Sequence, residues 1–159
     1  MNVRFVDTCI LMNLLDIPGR NQNMQDVKLQ YELAVSAGDS FVLPLATIIE
    51  TGNHISHIDD GALRRGIAIK FAELIKAAHQ LKNNWSLLPQ FSNKELDAII
   101  SKFPDQVIRH TGIGDVSIIE QFEWYWENRQ PIGRIIIWSL DGHLSGYIHE
   151  GGLARRIEK

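Results

Sequence analysis

The sequence predicts an α/β domain built on a mostly parallel sheet, and three observations carry that expectation. Short β-branched and aromatic runs alternate with longer stretches whose apolar residues recur at helical spacing. One run, Ile135-Ile136-Ile137-Trp138, is apolar throughout, as befits a strand covered on both faces in a parallel sheet. No repeat, low-complexity tract or linker divides the 159 residues, so 1–159 reads as a single domain. A chain of this length buries about 68–70% of its unfolded surface and needs no staples. Its one cysteine, Cys9, excludes an intrachain disulfide framework and a CxxC zinc site.

Each element follows from local pattern. Val3-Arg4-Phe5-Val6 predicts a buried strand that stops at Asp7-Thr8. Cys9 to Leu15 predicts a helix ending before Ile17-Pro18-Gly19. Asn21 to Ala37, with Met24, Val27, Leu29, Leu33 and Ala34, predicts an amphipathic helix closed by Gly38. Phe41-Val42-Leu43 predicts a second strand, and Pro44 suits the start of a helix from Leu45 to His57. Gly61 to Lys82 predicts a long helix whose apolar positions include Leu63, Ile67, Phe71, Leu74, Ile75 and Ala78. Trp85 to Leu88 predicts a third strand, cut by Pro89. From Ser92 to Lys102 a helix is expected, with Ser92 and Glu95 at capping-box spacing and Leu96, Ile99 and Ile100 on one face. Gly112-Ile113-Gly114-Asp115 leads into a helix from about Val116 to Trp126. Ile135 to Trp138 is then the strongest strand, expected at the centre of the sheet, and a Gly-rich tail follows from His143.

Sixteen Lys and Arg against nineteen Asp and Glu give a net charge of −3. This excludes a strongly basic nucleic-acid-coating protein, but not a nucleic-acid enzyme with a local basic patch. No apolar run approaches the roughly 18 residues of a membrane span, and Asp7 interrupts the apolar start of the chain. A cytoplasmic domain with no membrane partner is expected.

Two carboxylates stand out by position. Asp7 follows the first strand directly and Asp141 follows the last strong one. In open parallel sheets, ligands bind outside the carboxyl ends of the strands, so both fall at the expected site. Each also has a plainer role open to it: Asp7 as a helix cap, Asp141 as part of an Asp-Gly turn. Glu50 lies mid-helix with apolar residues before it and small ones after. Asp115 stands at a helix start, where the macrodipole alone favours an acid.

Taken together, strand–Asp, helix–Glu, helix-start Asp and strand–Asp form an order. The segments are Val-Arg-Phe-Val-Asp-Thr-Cys-Ile-Leu (Asp7), Thr-Ile-Ile-Glu-Thr-Gly (Glu50), Gly-Ile-Gly-Asp-Val-Ser-Ile-Ile (Asp115) and Ile-Ile-Ile-Trp-Ser-Leu-Asp (Asp141). From residue 3 to about 143 this resembles the PIN-domain family, metal-dependent nucleases that include the VapC-type toxins. The resemblance implies a three-layer α/β/α sandwich with a central, mostly parallel sheet. It implies Mg²⁺- or Mn²⁺-dependent cleavage of RNA, with Asp7, Glu50, Asp115 and Asp141 as the catalytic, metal-holding acids. Thr8 and Ser139 would be hydroxyls beside them. It also implies an RNA substrate, an antitoxin or other protein partner, and a homodimer. Two departures stand out: a long stretch between Glu50 and Asp115, and a short Gly-rich tail in which the family's last strand is missing or irregular.

The residue types suit that chemistry. Mg²⁺ takes oxygen ligands, and clustered carboxylates repel one another, so at least one should hold its proton above its ordinary pKa until a cation arrives. An acidic site also needs basic residues nearby to hold phosphate. The candidates are Arg64 and Arg65, with Lys70 and Lys76, on the long helix, and Arg155, Arg156 and Lys159 at the tail. A solvated helix face explains them equally.

Other constellations compete. Glu50, His54 and His57 are spaced i, i+4, i+7 and so share a helix face that could hold zinc or iron. His54 could instead contact a scissile phosphate, and surface histidines are the blander reading. Phe5-Val6-Asp7-Thr8-Cys9 is similar to an aspartyl-phosphate loop, but Cys9 stands where a second acid is required. Gly112-Ile113-Gly114 is a lone GxG without a strand before it. Cys9 reads as a small buried hydrophobe rather than a nucleophile. Phe122, Trp124, Tyr125 and Trp126 read as core packing or, more sharply, as a stacking surface for bases. A non-catalytic PIN-like binding module for RNA or protein, and a DNA nuclease or phosphatase with the same metal site, are the alternatives to a ribonuclease.

Overall fold

The computed structural model describes residues 1–88, 90–129 and 131–151. The basic tail residues Arg155, Arg156 and Lys159, and Pro89 after the third strand, lie outside the described residues. Among the described residues the chain forms an α/β domain with five strands and six helices, consistent with a three-layer α/β/α sandwich. In chain order these are β1 (Val3–Val6), α1 (Thr8–Leu14), α2 (Met24–Ser36), β2 (Ser40–Pro44), α3 (Leu45–Ser56) and α4 (Gly61–His79). β3 (Trp85–Leu88), α5 (Asn93–Ile108), α6 (Ile113–Arg129), β4 (Ile135–Trp138) and β5 (Ile148–His149) follow.

The sheet runs β3-β2-β1-β4-β5. The first four strands are parallel, and β5 closes the edge antiparallel to β4. β1 therefore holds the centre, with Val3 opposite both Ser40 and Ile135. β4, expected at the centre, lies one place off it. The tail supplies a short last strand of two residues rather than none.

Side chains alternate across a strand, and the two faces bury different sets. Val6, Phe41, Leu43 and Trp138 pack with residues of α1, α2, α3 and α4. Val3, Phe5, Val42, Ile135 and Ile137 pack with Ile118, Ile119, Phe122 and Trp126 of α6. Phe5 meets Phe122 and Tyr125 edge-on, at ring centroid distances of 5.6 and 5.4 Å. The aromatic run of α6 thus packs the core with Phe122, Tyr125 and Trp126. Trp124 is half-buried and lines a cleft between α5 and α6 with Lys94, Glu95 and Ala98.

Several helix readings need correction. In α2, Leu29 and Leu33 are 57% and 63% exposed, while Val27 and Ala34 face the core. At 3.6 residues per turn, position 29 lies nearly opposite 27 and 34, and position 33 is turned about 100° or more away from both. In α5 only Ile99 of the expected trio is buried, and Leu96 and Ile100 are exposed. That helix begins at the capping box of Ser92 and Glu95, but runs on through Pro104 to Ile108 instead of ending at Lys102. Proline forfeits one intrahelical bond, to the carbonyl four residues back. Here that residue is the exposed Ile100, where water can replace the partner.

Candidate functional site

Four elements deliver the four acids to the carboxyl edge of the sheet. Asp7 leaves β1 and caps α1, with its Oδ1 accepting the Thr8 N–H at 2.6 Å. Its backbone N–H continues the ladder to the Trp138 carbonyl, which fixes the residue beside the end of β4. Its Oδ2 accepts from Ser139 Oγ at 2.7 Å and from Cys9 Sγ at 3.0 Å. Asp7 is 6% exposed. It is therefore both a cap and a buried carboxylate held by three internal donors.

Glu50 sits in the middle of α3 and is half-buried. Two contacts orient the helix and the side chain. One turn earlier, Thr47 Oγ1 donates to the Val6 carbonyl at 2.8 Å, tying α3 to the end of β1. Thr8 Oγ1 donates to Glu50 Oε2 at 2.9 Å. On the other side, Gly114 brings the start of α6 so close that a Cβ there would overlap Glu50 Oε1. Glu50 also forms the polar end of an apolar cleft of about 300 Å³ whose walls include Ile49, Phe91, Leu96 and Ile113.

Asp115 lies in the first turn of α6 and is half-buried. Burial raises its pKa, and the charges of Asp7, Glu50 and Asp141 raise it further, against a hydrogen bond from the Gly112 backbone. All three other acids thus act on this one carboxyl. Asp141 is exposed, and its Oδ1 accepts the His143 N–H at 2.7 Å in the Asp-Gly turn. Ser139 links the two strand-end acids: its Oγ donates to Asp7 and accepts the Asp141 N–H at 2.9 Å.

The electrostatics are one-sided. Among the described residues, no ion pair involves Asp7, Glu50, Asp115 or Asp141. The donor set is all oxygen, the chemistry of a hard cation such as Mg²⁺ or Mn²⁺ rather than of zinc. Yet among the described residues no group of three or more His, Cys, Asp or Glu side chains is placed to hold a metal ion. The internal bonds explain this in part. Both oxygens of Asp7, Oε2 of Glu50 and Oδ1 of Asp141 each already accept a protein donor.

Cys9 is half-buried against this centre rather than sealed in the core. Burial, with Asp7 beside it, pushes its thiol up to about 11, although the Leu140 N–H and Ser139 pull the other way. It stays protonated near neutrality and donates to Asp7, the opposite of an activated nucleophile. Sequence reading missed that role, because the apolar frame around Cys9 gives no sign that its thiol turns back to the carboxylate two residues before it.

The residues expected to bind substrate are scattered. Arg64 and Arg65 are exposed on α4. Arg64 Nη1 donates to the Ile58 carbonyl at 2.7 Å, in the connection between α3 and α4. No described hydrogen bond or ion pair joins Arg65 to the acids. His54 and His57 follow Glu50 along α3 without forming a metal-holding group with it. His57 Nδ1 lies 2.7 Å from the Asn53 carbonyl. Arg20, not considered from the sequence, acts on His54: burial lowers the His54 pKa most, then the Arg20 charge, while Glu50 opposes them.

No family model matches this chain, and no curated protein matches it. No helix among the described residues is long and apolar enough to cross a membrane.

Proposed function

We propose that this chain is a PIN-type, divalent-metal-dependent endoribonuclease. The observation that supports it most is the set of four carboxylates from four elements, unpaired with any cation among the described residues, whose charges converge on Asp115. An acidic group of this kind is costly to assemble unless a cation neutralises it. Asp7, Glu50, Asp115 and Asp141 would hold Mg²⁺ or Mn²⁺, which when bound lowers the pKa of a water for attack on phosphorus. Thr8 and Ser139 orient Glu50 and Asp7, and Cys9 adds a neutral donor to Asp7.

The test is cleavage of single-stranded RNA by the purified chain in Mg²⁺ or Mn²⁺, against EDTA and against Asp7→Asn. Metal-dependent cleavage that falls at least about a hundredfold in Asp7→Asn supports the reading. Equal cleavage by both proteins refutes it.

A second reading has one observation in its favour. The carboxylates are tied to internal donors and do not close round a common point among the described residues. That suits a PIN-like module that binds RNA or protein without cutting. Metal-independent RNA binding with no cleavage under any divalent ion would select it.

A further inference from the structure

A second cleft of about 370 Å³ opens beside the acidic centre. Its walls come from three places: Ile17, Pro18 and Arg20 after α1, His54 and His57 near the end of α3, and residues 58–60 with Leu63 where α4 begins. His54 stands four residues beyond Glu50 on the same helix, about one turn or roughly 5.4 Å along its axis. Through His54, the cleft therefore lies about one helix turn from Glu50.

Its charges have a definite arrangement. The Arg20 guanidinium has no hydrogen-bond or ion-pair partner among the described residues, and the residue is exposed. His57 must carry its hydrogen on Nδ1, because the Asn53 carbonyl it meets can only accept. Two acids share the cleft. Asp60 is already engaged as the cap of α4, its Oδ1 accepting the Leu63 N–H at 2.8 Å, where the helix dipole partly offsets its charge. Asp59 is exposed at the mouth. Arg64 reaches the same rim through its bond to the Ile58 carbonyl.

We propose that this cleft is a phosphate subsite, in which a backbone phosphodiester of an RNA strand leaving the acidic centre lies against Arg20 and His54. The proposal rests on the nuclease reading for its ligand. An acidic centre repels phosphate, so a strand crossing it needs cationic purchase close by, and Arg20 supplies it in the cleft that His54, one helix turn from Glu50, also lines. Arginine suits the task because its planar fork matches phosphate oxygens. The histidines add ring N–H donors and a semi-apolar wall with Ile17 and Leu63. Asp59 then acts against binding and limits its strength.

The experiment is a fluorescence-anisotropy titration of a fluorescein-labelled, single-stranded 2′-O-methyl oligonucleotide with the full chain in Mg²⁺, repeated across a salt series. Arg20→Gln should weaken binding several-fold and lower the slope of log K against log salt by about 0.7, the share of one single-strand phosphate contact. Arg20→Lys should recover most of the slope, and Asp59→Asn should tighten binding. Inorganic phosphate, followed by the His54 and His57 ring NMR signals, separates a free-phosphate site from a strand-binding one. Shifts with phosphate and none with the oligonucleotide overturn the assignment. So do an unchanged affinity and slope in Arg20→Gln. Cleavage measured in parallel keeps the two ideas apart. Binding that depends on Arg20 without cleavage leaves the subsite standing and removes the nuclease. Cleavage that ignores Arg20 does the reverse.

Discussion

At the scale of single residues, Gly114 and Asp115 give the sharpest expectations. A methyl at Gly114 would meet only the end of the flexible Glu50 side chain, so Glu50 can swing away at little cost to folding. Gly114→Ala should therefore leave the thermal midpoint within about 2 °C of wild type, the scale of well under 1 kcal/mol. RNA cleavage should fall at least about tenfold, because a displaced carboxylate no longer shares the site. Paired melting and cleavage assays check this. Asp115 carries a raised pKa, from burial first and then from its three acidic neighbours. Its folded form keeps the proton to higher pH than its unfolded form. The stability this gives is present below the ordinary carboxylate value and is lost as pH rises through the raised one. Ionised Asp115 thus costs stability at neutral pH, and Asp115→Asn should raise the midpoint there. The carboxyl is half-exposed and screened, so about 2–4 °C, the shift worth roughly 1 kcal/mol, is the upper end. The gain should fade as pH is lowered below about 4, which melting curves across pH would show. These acids were legible in the sequence because each sits at an element end or on a helix with a clear apolar frame. Arg20 was not, because it acts on His54, far away in sequence, and the Cys9 donor was not, because an apolar frame hides a thiol whose partner is the carboxylate two residues before it.

At the scale of elements, β1 and β2 are fastened by a buried pair outside the site. Arg4 Nε and Asp39 Oδ2 are 2.7 Å apart, and the Asn2 N–H gives Asp39 a second donor, also at 2.7 Å. Burial pushes the Asp39 carboxyl up, but the Asn2 and Arg4 contacts outweigh it and hold it below its ordinary value. The stability from this group is present above the unfolded pKa near 3.9 and is lost as pH falls through the lower folded value. Asp39→Ala should cost about 3 kcal/mol at pH 7, the low end for breaking a buried pair because Arg4 is partly exposed. The difference from wild type should shrink in acid, as urea unfolding at pH 7 and pH 3 would reveal. The strands were readable because their apolar runs are short and bounded by Asp, Pro and Gly. Helix faces were less so. Leu29 and Leu33 lie on the solvent side of α2, and helical spacing separates them from Val27 and Ala34 without saying which of the two apolar sets meets the sheet. The expected end at Lys102 fell short because α5 carries Pro104 inside it and continues to Ile108.

For the molecule as a whole, the net charge of −3 takes on a different meaning once the four acids are set aside, since the basic residues are then one ahead. A body so nearly neutral should bind RNA modestly and with marked salt sensitivity, with a local cleft rather than a global field providing the grip. The α/β domain with its mostly parallel sheet was legible from the alternation of strands and helices, and the three layers were what the family resemblance implied. How far the four carboxylates close on one another was not, because that depends on the internal donors each one meets. The most direct measurement is therefore Mn²⁺ binding to the intact protein, followed by electron paramagnetic resonance of the ion, with Asp7→Asn/Asp115→Asn beside wild type. Saturable Mn²⁺ binding by wild type, weakened at least about tenfold in the double variant, is the outcome expected of a metal centre built on these acids. Equal Mn²⁺ binding by both proteins, or none by wild type, would contradict it.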